Sequence, residues 1–264
     1  MKTLIVTILL FVTVKGVAQH NSSKTSQGAF IKNFDLKMDT VRWLCEYDNI
    51  AWWTSDSVSA SANEEKQRLG NDWFCFYRNN LWHAVYGKYD NNSFDMVFHY
   101  TVDSANRITR TRETVDSPTL NSYARALVNA NNFLRVFPDT QKVKCNQYIK
   151  RNDDQTFSVW LLPAFTTNGI AVYGGEFYYL FDESGTKLLS KNEYSIGYRG
   201  FKTDPKKEIS LNYTAFDEPP LGAVFFTWYY RRHFDKMVII TKKFVSGPYR
   251  AKDGYTWIHA SREN

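Results

Sequence analysis

His83 and His99 are the pair of side chains in this chain whose types and spacing best suit joint chemistry, because they fall on two expected strands, 81–89 and 94–102, joined by a tight turn near Asn91. Either imidazole could act as a general acid or base, and two facing imidazoles with the carboxylate of Asp95 could hold a divalent metal. Register decides whether they meet. A two- or four-residue loop pairs Tyr89 with Phe94 and His83 with Tyr100, which puts His99 on the opposite face; a three-residue loop, 90–92, pairs Tyr89 with Ser93 and sets the two histidines opposite each other, with Asp95 and Val97 on their face.

Glu176 lies within an apolar run, 172–181, beside Phe177, Tyr178 and Tyr179. Buried there, its carboxyl would have a raised pKa suited to general acid or base catalysis; facing water, it would be the polar side of an amphipathic strand. Cys75, between Phe74 and Phe76, could act as a nucleophile if His83 approached it, although an apolar setting holds a thiol in its unreactive protonated form. The eight tryptophans and seventeen tyrosines are a second resource. Their flat faces suit a sugar ring or a protein surface, and adjacent Trp52 and Trp53 cannot both point inward from a regular element.

No serine-nucleophile elbow, zinc-protease helix, phosphate loop, dinucleotide fingerprint or CxxC pair occurs, so no cofactor is expected. Gly174 and Gly175 read as a strand bulge. Cys45, Cys75 and Cys145 leave three choices for one bridge, or none formed.

Met1 and Lys2, the eleven-residue apolar run Leu4–Val14 and small residues up to Ala18 read as a secretory signal cleaved after Ala18. The run is well short of the roughly 20 residues of a spanning helix, and no cysteine follows closely enough to take a lipid. The expected product is soluble and exported, periplasmic or extracellular. Without residues 1–18 the chain has 31 basic and 27 acidic residues, a net +4. Its basic pairs, Lys206–Lys207, Arg231–Arg232 and Lys242–Lys243, are scattered, which argues against nucleic acid as a partner.

The elements that must position these residues divide as a polar lead-in, 19–29, and one domain, 30–264. Helices are expected over 39–53 and 56–69, then a strand meander over 73–78, 81–89, 94–102 and 107–113. A helix follows from Ser117 and Pro118 to Phe137, with Ser117 as its cap. A second series spans 143–150, 156–162, 170–181, 186–196 and 207–213. The 221–233 stretch fits a helix or an aromatic strand, and a hairpin, 237–245 with 255–260, closes the chain. The breaks within the first meander are too short for anything but antiparallel neighbours. The fold class is α+β: antiparallel meander sheets, one or two helices on a face and an N-terminal helical segment.

The strings NDWFCF (71–76), LWHAVYG (81–87), LPAF (162–165), AVYGGEF (171–177) and FFTWYY (225–230) resemble a group of exported proteins of Bacteroidetes-type bacteria that has no assigned activity. Two functions remain in view. The first is a non-catalytic binding module of the cell envelope, with Trp52 and Trp53 as binding candidates and a glycan or another envelope protein as partner; the second is an exported hydrolase built from His83, His99, Asp95 or Glu176.

Overall fold

A computed structural model describes residues 30–137, 143–166 and 168–262. The expected signal, 1–18, and the lead-in, 19–29, lie outside the described residues. The architecture is α+β, with three four-stranded, mainly antiparallel sheets and four helices among the described residues. Among the described residues no helix is long and apolar enough to cross a membrane.

Helix α1, Phe34–Ser59, is one 26-residue rod where the sequence predicts a boundary near Asp56. Phe34, Met38, Val41, Leu44, Tyr47, Ile50, Thr54 and Val58 form its buried stripe at spacings of three and four. The polar residues that read as a helix start are absorbed into it. Thr54 Oγ1 donates to the Ile50 carbonyl (2.6 Å) and meets the Tyr86 hydroxyl (2.7 Å), so a side chain that could have capped a new helix ties this one to the sheet. A four-residue helix, α2 (Asn63–Lys66), follows.

The first meander is β1 (Asp72–Arg78), β2 (Leu81–Asp90), β3 (Ser93–Val102) and β4 (Ile108–Arg110). Asn79 with Asn80 and Asn91 with Asn92 all take positive φ, which builds the two-residue turns that match strand twist. Helix α3, Ser117–Leu134, starts with Pro118 in its first turn, but Asp116 and not Ser117 is the cap, accepting from the Thr119 N–H (2.9 Å). The second meander is β5 (Cys145–Arg151), β6 (Phe157–Pro163), β7 (Ile170–Phe181) and β8 (Leu188–Lys202).

The last sheet differs from the expected hairpin. It has the order β12-β11-β10-β9, from β9 (Glu208–Tyr213), β10 (Lys236–Thr241), β11 (Phe244–Ala251) and β12 (Gly254–Ser261). The 221–233 stretch supplies helix α4, Leu221–Tyr229, and its length of crossover lets β10 run parallel to β9.

The two faces of the first sheet are covered by different helices. Cys75, Trp82 and Tyr86 meet α1, through Tyr47, Glu46 and Thr54. On the other face Phe74 and Phe76 pack on Tyr123 of α3 (ring centroids 4.9 and 5.6 Å), and Tyr123 also meets Phe157 of the second meander. Tyr148 of β5 touches both Tyr47 of α1 and Phe225 of α4, while Phe34 of α1 and Trp228 of α4 reach Trp257 of β12. Helices α1 and α4 thus lie between the meanders and the last sheet.

Candidate functional site

The histidine hairpin combines a short turn with the outcome expected of a longer one. Tyr89 pairs with Phe94 across the Asn91–Asn92 turn, a register that by itself would send the histidines to opposite faces. Between Tyr86 and Gly87 the register shifts by one: Gly87 faces Met96, Tyr86 faces Phe98, and Val97 is the extra residue. Beyond this bulge Val85 faces His99 and His83 faces Thr101, so the imidazoles become diagonal neighbours on one face. Gly87 permits the bulge, since a Cβ there would overlap the Asp95 carbonyl oxygen.

The two rings are joined by a hydrogen bond of 2.9 Å between His83 Nδ1 and His99 Nε2, and His99 Nδ1 lies 2.9 Å from the Glu113 carbonyl. That carbonyl can only accept, so His99 carries its proton on Nδ1, accepts at Nε2, and His83 donates from Nδ1. The remaining nitrogen, His83 Nε2, is unprotonated and has no partner among the described residues. Burial lowers both pKa values; for His83 the next cause is His99 itself, whereas for His99 the bond to the Glu113 carbonyl opposes it. Phe76 stacks flat on His83 at 4.8 Å, and the rings are only 1% and 3% exposed. Asp95 is not with them: it faces Lys88 across the hairpin and lies 3.7 Å from Arg68. Among the described residues no three metal-ligating side chains come together.

Cys75 is on the other face of the sheet, paired with Ala84 while His83 pairs with Phe76. Its thiol is held well above the ordinary range, by burial first and then by the charge of Asp48. All three cysteines are free.

Glu176 takes the buried alternative, at 4% exposure. The Tyr194 hydroxyl and the Gly222 N–H, at the start of α4, both donate to its Oε2. Burial raises its pKa, with those two bonds and the Lys37 charge working against it. A Cβ on Gly222 would crowd this carboxyl, so glycine is what lets α4 dock its first turn there. Glu176 anchors α4 to β7 and sits on a different sheet from the histidines.

A cleft of about 760 Å³ opens where α1, the tips of the first meander and the end of α4 converge. Trp53, Tyr77 and Trp228 line it together with Asn49, Asn80 and Asn106. Tyr77 is 56% exposed. Trp82 forms part of the floor and donates its indole N–H to Glu46 (2.6 Å). Arg231 lies over the Trp228 ring at 4.3 Å and donates to the Trp228 carbonyl. Trp52, the other sequence candidate, is 68% exposed and points away from the stripe that buries α1.

Beneath the cleft, Asp48 holds the wall together. It accepts from the hydroxyls of Tyr148 (2.8 Å) and Tyr229 (2.6 Å) and from the Asn146 amide (3.2 Å), so one carboxylate joins α1, β5 and α4. Burial, then the Asp48 charge, raises both tyrosine pKa values and keeps those hydroxyls as donors. Cys45, on the cleft wall, is pushed up to about 12 by burial first, with Arg231 opposing and Asp48 reinforcing the shift.

Sequence reasoning named Trp53 but missed Asp48, Tyr77 and Trp228 as parts of one site. The FFTWYYRRH run, 225–233, carried the signal: aromatic residues followed at once by paired arginines at a helix end. No family model, curated protein or solved structure matches the chain.

Proposed function

We propose that this is an exported, non-catalytic binding module of the cell envelope that holds a glycan in the aromatic cleft. The observation that carries this reading is the cleft, which Trp53 and Tyr77 line together with three asparagines whose amides can meet hydroxyl groups. Flat apolar rings together with amides suit a sugar, which has apolar ring faces and a rim of hydroxyls. Export rests on the basic start, apolar run and small residues of the first eighteen positions.

The hydrolase alternative draws on the joined histidines and their free ring nitrogen. Against it, His83 is 1% exposed under Phe76, Asp95 belongs to another contact, and Glu176 is occupied at the start of α4.

The test is calorimetric titration of the full chain with β-linked hexasaccharides, neutral and acidic. Binding of at least one is expected, weakened at least tenfold by Tyr77→Ala, which removes a largely exposed ring without disturbing the core. Affinity untouched by both Tyr77→Ala and Trp53→Ala would refute the cleft. Slow cleavage of the bound sugar that His83→Ala abolishes would instead establish the hydrolase.

A further inference from the structure

The basic residues that are scattered in the sequence gather at one end of the cleft. Arg231 and Arg232 leave its wall and line an adjoining depression with Lys206, Lys236 and Arg250. Arg232, Lys206 and Arg250 continue into a third hollow that ends at Lys252. Three sequence segments, at 206, 231–236 and 250–252, therefore build one trough in which six basic side chains face a single carboxylate, Asp235. None of Lys206, Arg232, Lys236, Arg250 and Lys252 has a carboxylate ion-pair partner among the described residues. Unneutralised charge concentrated in a concave surface raises the local concentration of anions and steers them in. Tyr255 keeps an aromatic wall along the trough, with Arg231 above its ring at 5.4 Å.

The rest of the cleft carries both signs of charge. Glu46 and Asp103 stand with Arg42 beside Trp53, Tyr77 and the asparagines. Glu46 accepts from Trp82, and Asp103 accepts from Arg107 and from its own loop amides, so both are fixed in place. A ligand with a charge on every unit, such as a nucleic-acid strand, would set some of those charges against these carboxylates. A chain in which neutral and acidic units alternate would set half as many there and would leave neutral rings for Trp53 and Tyr77.

We infer that the ligand is an acidic oligosaccharide with carboxylated sugars separated by neutral ones, its neutral rings on Trp53 and Tyr77 and its carboxylates in the trough of Arg232, Lys206 and Arg250. This rests on the cleft being the binding site and adds the charge of the ligand.

The experiment compares three probes on the full chain by calorimetry: a hexasaccharide alternating glucuronate with N-acetylglucosamine, neutral chitohexaose, and a twelve-nucleotide oligo-dT. The alternating hexasaccharide is expected to bind at least tenfold more tightly than chitohexaose. The triple variant Arg232→Ala, Lys206→Ala, Arg250→Ala, all exposed positions, should erase that preference while unfolding at the wild-type temperature. Raising salt from about 0.05 to about 0.5 M should weaken wild-type binding and leave the variant nearly unchanged. Equal affinity for the acidic and neutral sugars, or a preference that survives the triple variant, overturns this inference and leaves the glycan module standing. Tighter binding of oligo-dT overturns it in favour of a nucleic-acid partner. Failure of both sugars to bind overturns the underlying module as well.

Discussion

Acidification should destabilise this protein between pH 7 and pH 5.5 through the joined histidines, and the size of the effect follows from their setting. Both folded-state pKa values lie below the ordinary value, because burial disfavours the imidazolium. The unfolded chain therefore takes up protons near pH 6.5 that the folded chain does not, and stability falls as pH falls through that value. A histidine that stays neutral in the fold favours the unfolded state by RT ln(1 + 10^(6.5 − pH)), about 0.2 kcal/mol at pH 7 and about 1.4 kcal/mol at pH 5.5. Each histidine thus costs up to about 1.2 kcal/mol over this interval, the limit for a ring that takes no proton in the fold, and the pair up to about 2.5 kcal/mol. Protonating His99 at Nε2 would also break its bond from His83, which holds that site neutral. The perturbation is His83→Phe with His99→Leu, apolar replacements on a buried face. Urea unfolding followed by tryptophan fluorescence, at pH 7 and pH 5.5 with a common m value, gives the comparison. The double variant should lose less than wild type on acidification, by up to about 2.5 kcal/mol. The other titrating groups are present in both proteins and cancel. Equal losses would show that the pair is protonated in the fold and would refute the neutral arrangement.

Gly87→Ala should destabilise the protein by about 1–3 kcal/mol in the same urea assay, the usual range for forcing extra atoms into a packed site, since its Cβ overlaps the Asp95 carbonyl oxygen. Asp48→Ala strands two buried hydroxyls and an amide, so a loss of about 3 kcal/mol is expected, together with weakened glycan binding as the α1–α4 wall loosens. Cys45, with its pKa near 12, should react with iodoacetamide at pH 8 about a thousandfold more slowly in the native protein than in urea, because the thiolate is the reactive form. Glu176→Gln should gain stability relative to wild type as pH rises from 5 to 8. The folded carboxyl has a raised pKa, so its contribution is fully present below the unfolded value and is lost as pH rises through the folded one.

Much of the strand layout was legible because Asn-rich turns and aromatic, β-branched runs are local signals; β2, β3 and β7 begin and end close to where those signals place them. The bulge at Gly87 was not, because it depends on a backbone approach between strands that only the folded hairpin makes. The same is true of Glu176, whose burial is set by α4 arriving from 46 residues away to place Gly222 on its carboxyl. Helix α1 ran past its apparent boundary because Thr54 found a partner, Tyr86, on a distant strand. The cleft was the least legible feature. It is assembled from α1, two hairpin tips and the end of α4, and the basic residues beside it are dispersed in sequence and contiguous only in the fold.

Whether a glycan occupies the aromatic cleft can be read from the indole N–H resonances of the eight tryptophans during titration with the alternating acidic hexasaccharide. The signals of Trp53, Trp82 and Trp228, which line the cleft, are expected to move together and saturate, while Trp73 and Trp160, packed against Tyr47, Tyr86, Trp43 and Tyr178, stay in place. Saturating shifts confined to Trp52 or to the packed tryptophans, with the three cleft indoles unmoved, would contradict that occupancy.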